Sequence, residues 1–145
     1  MKRIMLIAAM MFALSIANAE DKIVTFSQIP QSAQEFTNAN FKGKKIASAQ
    51  METSLFGAIT DGYKVVFTDG TQIEFDSDGN WEEISAKTSS VPADLVPEKI
   101  TKYIKDNFGG ANVVELKKDK KGYKVELSTK QELEFNHNYI FIGLD

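Results

Sequence analysis

The densest group of side chains with metal-binding potential lies in residues 76–83. Five side chains there offer oxygen ligands of the kind Ca²⁺ prefers: Asp76, Asp78, Asn80, Glu82 and Glu83. The spacing departs from the twelve-residue calcium loop, because Trp81 stands where glycine is needed and Lys87 where the bidentate glutamate belongs. Asp and Asn also satisfy backbone groups in ordinary turns. We therefore expect a turn here, with a calcium site as the alternative.

Catalytic chemistry has little support elsewhere in the chain. The only histidine, His137, lies in a turn between two asparagines, and there is no cysteine for thiolate chemistry or thiolate metal sites. The chain has no G-x-S-x-G nucleophile elbow. We predict that the protein is not an enzyme and uses no cofactor. A hydrolase assembled from the carboxylates of Asp76, Asp78 and Glu82 is the opposing hypothesis.

The elements that position these residues are short strands with period-two alternation. Residues 62–81 read GYKVVFTDGTQIEFDSDGNW, in which Asp69-Gly70 and Asp78-Gly79 separate alternating runs. This pattern indicates a meander of antiparallel strands. Much of it recurs 60 residues later, since GYKVVF at 62–67 matches GYKVEL at 122–127, and QIEFD at 72–76 matches ELEFN at 132–136.

Two helices complete the pattern. One follows Pro30 and ends near residues 40–43, and the other covers residues 98–108 and ends at Gly109-Gly110. We predict two repeats, 20–85 and 96–145, joined by a linker at 86–95 into one shared globular domain. Each repeat has one helix followed by four antiparallel strands, and residues 20–28 form a short leader that pairs at an edge. The predicted fold is α+β, with both helices on one face of a continuous sheet of about eight strands.

The alternation divides the strand residues between two faces. The predicted core comprises Tyr63, Val65, Phe67, Ile73, Phe75, Trp81, Tyr123, Val125, Leu127, Leu133, Phe135 and Phe141, together with Phe36, Phe41, Ile100, Ile104 and Phe108. The face without helices should carry Lys64, Val66, Thr68, Gln72, Glu74, Glu82, Lys124, Glu126, Ser128, Glu132, Glu134, Ile140 and Ile142. Glu74 with Lys64, and Glu134 with Lys124, should form cross-strand ion pairs there rather than an acid–base site.

These residues resemble a known family. A Pro-led helix ending in Phe-x-Gly, the segment YKVVFTDGTQIEFDSDGNW and a second, degenerate copy are similar to the PepSY-like periplasmic proteins of Gram-negative bacteria, formerly a domain of unknown function. The resemblance covers nearly the whole predicted mature chain. It implies the fold of the β-lactamase inhibitor protein, in which tandem helix-plus-four-strand units share one sheet. It supplies no catalytic residues.

The N-terminus predicts export. Lys2 and Arg3 precede an apolar stretch at 4–16, and Ala17-Asn18-Ala19 is typical of a signal peptidase site. Cleavage after Ala19 would leave 126 of the 145 residues and change the formal charge from −3 to −5, because it removes two basic residues and no acidic ones. An acidic chain of this kind is a poor candidate for nucleic-acid binding. We predict a periplasmic or secreted protein that is not membrane-anchored after cleavage.

The predicted function is a binding or inhibitory module. The uncovered sheet face, with the residues from Lys64 to Ile142 given above, should hold another envelope protein, much as the resembling inhibitor grips an enzyme through a broad sheet surface. A small-ligand or calcium-binding protein is one alternative, and the carboxylate hydrolase is another. Self-association through the apolar strand at 139–144 is also open.

Overall fold

A computed structural model describes residues 19–145, so that the predicted signal peptide falls almost wholly outside the described residues. Its centre is one antiparallel sheet of nine strands. The spatial order of the strands is the same as their order along the chain, from β1 to β9. Each strand therefore pairs with its neighbours in sequence.

The first five strands are joined mainly by tight turns. They are β1 (Ala19–Val24), β2 (Ile46–Ser54), β3 (Ile59–Phe67), β4 (Gln72–Asp76) and β5 (Trp81–Ser85). A short 3-10 helix, Phe26–Gln28, and helix α1, Gln31–Asn40, lie between β1 and β2. The expected count of eight strands is wrong because β1 is a full strand, paired with β2 from Ala19↔Ser54 to Val24↔Ala49.

The second part begins with a long connection. Residues 86–112 contain a 3-10 helix, Ala93–Leu95, and helix α2, Glu98–Asn107. Four strands follow: β6 (Val113–Lys118), β7 (Gly122–Leu127), β8 (Glu132–Asn136) and β9 (Phe141–Leu144). The sheet is continuous because β5 pairs with β6 through Glu83↔Lys117, Ile84↔Leu116 and Ser85↔Glu115. Among residues 19–145, no helix is long and apolar enough to cross a membrane.

Both helices pack on the same face of the sheet. Phe36 of α1 meets Phe75 of β4 edge-on, with ring centroids 5.9 Å apart, and Tyr103 of α2 meets Phe135 of β8 at 5.6 Å in the same orientation. Each helix follows a proline, Pro30 or Pro97, at its N-cap. Proline suits a helix start because its missing N–H needs no partner there.

The core lies between this sheet face and the helices. Phe67 and its predicted equivalent Leu127 are both fully buried, which confirms that they share a face. Eleven of the seventeen predicted core residues are buried, and the other six are half-buried and pack against the buried cluster. Phe36, Tyr63, Trp81, Tyr103, Phe108, Tyr123 and Phe141 are half-buried residues at the margin of that cluster. Aromatic rings of this size reach solvent because two ten-residue helices do not cover the whole width of a nine-stranded sheet.

Close packing of the backbone requires glycine at position 62 and at its predicted repeat equivalent, 122. A Cβ on Gly62 of β3 would stand 2.3 Å from the carbonyl oxygen of Phe75 in β4. A Cβ on Gly143 of β9 would meet nothing within 4 Å. Gly62 and Gly143 therefore make a matched pair of strand glycines, one constrained by its neighbour and one free.

We expect Gly62→Ala to lower the free energy of unfolding by about 1–3 kcal/mol, because the added methyl group forces the two strands apart. Gly143→Ala should change it by less than about 0.5 kcal/mol. Urea denaturation of both variants measures the difference. Equal effects at the two positions would contradict the close approach of β3 and β4.

Candidate binding face of the sheet

The sheet face that faces away from α1 and α2 is called here the open face. Its residues alternate with the core along each strand, and the strand register brings them into rows. Lys64 of β3 lies between Gln50 of β2 and Glu74 of β4, and Glu74 lies in turn beside Glu83 of β5. In the second part, Lys124 of β7 lies between Lys117 of β6 and Glu134 of β8. The open face is therefore built from charged rows that run across the strands.

Lys64 is the centre of the first row. Its Nζ lies 3.5 Å from a carboxylate oxygen of Glu52 and 3.5 Å from one of Glu74. Partial burial alone would lower the pKa of Lys64, but the two carboxylates outweigh it and raise that pKa. Burial, together with repulsion from Glu74, raises the pKa of Glu52 in spite of the lysine. The row thus holds more negative charge than its lysine neutralises.

Lys124 and Lys87 each bridge two carboxylates in the second part. Nζ of Lys124 lies 3.3 Å from both Glu134 and Asp145. Nζ of Lys87, from the connection after β5, lies 3.4 Å from Glu115 and 3.2 Å from Glu126. The predicted cross-strand pairs Lys64–Glu74 and Lys124–Glu134 are confirmed. Exposed pairs of this kind contribute little to stability, so their placement matters more for the surface potential.

Glu83 is the most perturbed carboxyl of the open face. It stands opposite Glu74 across β4–β5, and Glu115 lies diagonally opposite on β6. Burial, followed by hydrogen bonding to Glu115 and Glu74, raises the pKa of Glu83 to about 7. The small cavity beside it has a volume of about 130 Å³ and is lined by Gln72, Glu74, Glu83 and Ser85. This volume is below the roughly 300 Å³ at which small-molecule sites begin.

The alternation rule misplaced one residue of this group. It expected Glu82 on the open face beside Glu74, but the register shifts between Glu74 and Phe75, so that Trp81 pairs with Phe75 and Glu83 pairs with Glu74. A β-bulge of this kind places two residues of one strand opposite one of the other. The same shift occurs between β8 and β9, where Phe141 pairs with Phe135 and Gly143 with Glu134. Ile142 therefore falls within the second bulge rather than in a regular pair.

Four other predicted face residues lie where the alternation puts them. Val66 pairs with Gln72, and Glu126 with Glu132, in the same phase as the charged rows. Ile140 and Ile142 are 60% and 62% exposed, near the outer edge of the sheet. Sequence reasoning did not place Glu52, Glu83, Lys87 or Glu115 on this face, although it named Glu83 as a candidate calcium ligand. Glu52 and Glu115 belong to strands without clear alternation, and Lys87 reaches the face from outside a strand.

Carboxylates outnumber lysines on the open face. Apart from Asp76, the carboxylates placed there by register or ion pair are Asp21, Glu52, Glu74, Glu83, Glu115, Glu126, Glu132, Glu134 and Asp145. The lysines are Lys64, Lys87, Lys117 and Lys124. Without Asp76, whose Oδ1 is bound within its own turn, nine carboxylates against four lysines give the rest of this face a formal charge of −5 when all are ionised.

The acidic stretch at 76–83 forms a turn. Oδ1 of Asp76 accepts hydrogen bonds from the backbone N–H groups of Asp78 and Asn80, each at 2.9 Å. The hydroxyl of Ser32 in α1 donates to the carbonyl oxygen of Asp78 at 3.1 Å. Among residues 19–145, no three or more His, Cys, Asp or Glu side chains come together in a way that could hold a metal ion. The side chain of Asp76 therefore satisfies backbone groups of its own turn, as Asp does in ordinary turns.

The perturbed carboxyl predicts an unusual pH dependence of stability. The folded protein holds the proton of Glu83 more tightly than an unfolded chain, whose glutamate pKa is near 4.5. The stabilisation from this proton is therefore complete below pH 4.5 and is lost as the pH rises through about 7. We expect the stability of Glu83→Gln relative to the wild type to increase between pH 5 and pH 8.

Urea denaturation at several pH values measures this change. Glu132→Gln removes an exposed carboxylate of the same face and serves as the control, which should keep the wild-type pH profile. The same profile for all three proteins would mean that Glu83 titrates as an ordinary glutamate.

Comparison with known proteins places the chain in a family. Residues 61–143 match the family described as beta-lactamase-inhibitor-like and PepSY-like. A search of curated proteins finds no match. Three solved structures are similar along most of their length.

One is a candidate calcium-regulated periplasmic protein from Bacteroides thetaiotaomicron, 40% identical, with a TM-score of 0.81 over 86% of this chain and 96% of that one. The other two are periplasmic proteins from Bacteroides vulgatus. One is 38% identical, with a TM-score of 0.79 over 87% of this chain and 97% of that one. The other, whose function is unknown, is 33% identical, with a TM-score of 0.79 over 87% and 99%. The chain therefore belongs to the PepSY-like family.

Proposed function

We propose that the protein is a non-catalytic binding module of the periplasm, and that its open face holds a basic surface of another envelope protein. The signal sequence predicted at residues 1–19 and the periplasmic relatives support the compartment. The excess of carboxylates on the open face is the observation that carries the choice of partner. A surface of one sign attracts the opposite sign over several ångströms and disfavours partners of its own sign.

The geometry of the open face also suits a broad protein contact. An antiparallel sheet with helices on one side leaves its other side to solvent. The charged rows cross β3 to β5 and β6 to β8, and the cavities of about 130 Å³ beside Glu83 and about 190 Å³ beside Lys124 are both below the roughly 300 Å³ at which small-molecule sites begin. The family description compares these proteins with an inhibitor of β-lactamase. Fold likeness of this kind supports binding in general and gives no target.

The absence of enzymatic activity is part of the same proposal. A hydrolase built from Asp76, Asp78 and Glu82 would need free carboxylates around a substrate, but Oδ1 of Asp76 is already bound within its turn. Glu83 has the raised pKa of a possible general acid. Ser85 is the one hydroxyl that lines its cavity, no histidine lines the cavity to activate that hydroxyl, and the volume leaves little room for a substrate. Glu83 is therefore better explained as a crowded member of an acidic surface.

We also propose that the fold arose from two tandem units. Helices α1 and α2 each have ten residues, each follows a proline, and each ends before a phenylalanine at its C-cap. The register shifts before Phe75 and Phe135 lie 60 residues apart, the same offset as the sequence match. This origin would place the two lysine-centred rows of the open face at equivalent positions.

A second candidate function, calcium binding, is favoured by the description of the relative from Bacteroides thetaiotaomicron. The described residues provide no group of three or more ligands for the ion. We therefore place calcium second to the partner-binding role.

The partner-binding role can be tested by neutralising the open face. The variant Glu74→Gln, Glu126→Gln, Glu132→Gln removes three of its carboxylates. A matched control, Glu35→Gln, Glu98→Gln, Asp106→Asn, removes the same charge from α1 and α2. Affinity capture from envelope extract identifies the partner of the wild type, and biolayer interferometry then measures the three proteins at low and high salt.

We expect the open-face variant to bind that partner about tenfold more weakly at low salt, with a flatter salt dependence, because steering charges have been removed. The control should bind like the wild type. Equal binding by both variants, or failure of the wild type to capture a specific partner, would refute the proposal.

Calcium binding is tested by a thermal shift. We expect millimolar Ca²⁺ to change the melting temperature no more than the same concentration of Mg²⁺, since a specific ligand of the native state must raise it. A Ca²⁺-specific increase that Asp76→Asn or Glu83→Gln removes would make calcium binding the better explanation.

A further inference from the structure

One cavity lies on the helix-covered side of the molecule, away from the open face. It has a volume of about 410 Å³ and lies between the connection at residues 90–96, helix α2 and the beginning of β6. This volume falls within the roughly 300–1,000 Å³ of small-molecule sites. The cavity plays no part in the function proposed above.

The inner wall of the cavity is apolar. It is formed by Val91, Val96, Ile104, Ala111 and Val113. Val91, Val96 and Ile104 are buried residues of the core cluster. The wall is fixed in place by the backbone, because the N–H of Val91 donates to the carbonyl oxygen of Val113 at 2.8 Å. The cavity is therefore a formed feature of the fold that does not depend on a ligand to assemble it.

The rim carries polar side chains that are free to bind. Ser90, Thr101, Lys105 and Asn112 line the cavity. Within residues 19–145, none of these four side chains has a hydrogen bond or an ion pair with another residue. Each of them can donate a hydrogen bond, and Lys105 adds a positive charge.

The charge of this rim differs from that of the chain as a whole. The chain has a formal charge of −3, yet the residues that line the cavity include a lysine and no Asp or Glu. The nearest acidic neighbour of Lys105 in sequence, Asp106, is already paired with Lys102 at 2.6 Å. An apolar wall below a rim of donors with one unpaired ammonium group is complementary to an anion that has an apolar body.

We propose that this cavity binds a small organic carboxylate, with its apolar body against Val91, Ile104 and Val113 and its carboxylate at Lys105. The hydroxyl groups of Ser90 and Thr101 and the amide of Asn112 supply further donors to the carboxylate. The volume of about 410 Å³ has room for a body the size of a phenyl ring or a short alkyl chain.

Three probes with the same phenyl body separate the effect of charge from the effect of apolar contact: phenylacetate, phenylacetamide and phenethylamine. Amide chemical shifts of the wild-type protein are followed during titration with each. We expect phenylacetate to shift the signals of Val91, Ile104 and Val113, phenylacetamide to bind at least fivefold more weakly, and phenethylamine to leave those signals unchanged.

Two variants and one control locate the site. Lys105→Glu should weaken phenylacetate binding at least tenfold. Lys99→Glu makes the same charge change on the same helix, at an exposed residue outside the cavity, and should bind like the wild type. Ala93→Trp, at an exposed position of the rim, should fill the mouth and abolish binding of all three probes. Unchanged melting temperatures confirm that the variants are folded.

Three results would overturn the proposal. One is the absence of shifts at the cavity with phenylacetate at 10 mM or more, which is about the weakest affinity that a useful site would show. Another is equal binding of the three probes with no effect of Lys105→Glu, since the cavity would then not select an anion. The third is a set of shifts on the open face alone.

Discussion

The structure depends on one constraint: only one face of the nine-stranded sheet is mainly apolar, and two short helices must cover that face. Val65, Ile73 and Leu133 have no exposed surface, and complete burial of such a side chain contributes roughly 1.5–3 kcal/mol. Phe36 and Tyr103 anchor the helices by edge-on contacts with sheet phenylalanines. With no cysteine in the chain, no disulfide adds to this burial.

The same constraint leaves the two sides of the molecule with different chemistry. Because the core lies against one face of the sheet, the other face is free to carry charge. That face carries an excess of carboxylates in rows across the strands. Burial and the neighbouring carboxyl groups of Glu74 and Glu115 disfavour ionisation of Glu83 and raise its pKa to about 7. The helix side has the opposite character, an apolar cavity with one unpaired lysine at its rim.

Strong local signals explain what could be predicted from the sequence. The Asp-Gly turns and alternating apolar residues defined β3, β4 and their register, and the prolines at 30 and 97 marked the helix starts. The strand β1 was predicted only as a leader, because AEDKIV has no alternation and is held by its pairing with β2. The β-bulge that puts Glu83, and not Glu82, beside Glu74 results from the pairing of β4 with β5. Alternation along a single strand carries no information about that pairing. The cavity was missed for a similar reason, since its walls come from three segments.

The strand order has a consequence for how the chain folds. Every strand pairs with a neighbour in sequence, so most of the sheet forms by closing short loops, whose entropic cost is small. The pairings of β1 with β2 and of β5 with β6 are the exceptions, because residues 25–45 and the longer segment 86–112 must be ordered before those ladders close. Low average sequence separation between contacts favours rapid folding. A chain that emerges N-terminus first can therefore assemble β1 to β5 with α1 before β6 is present, and the β5–β6 seam is the step that the topology makes slowest.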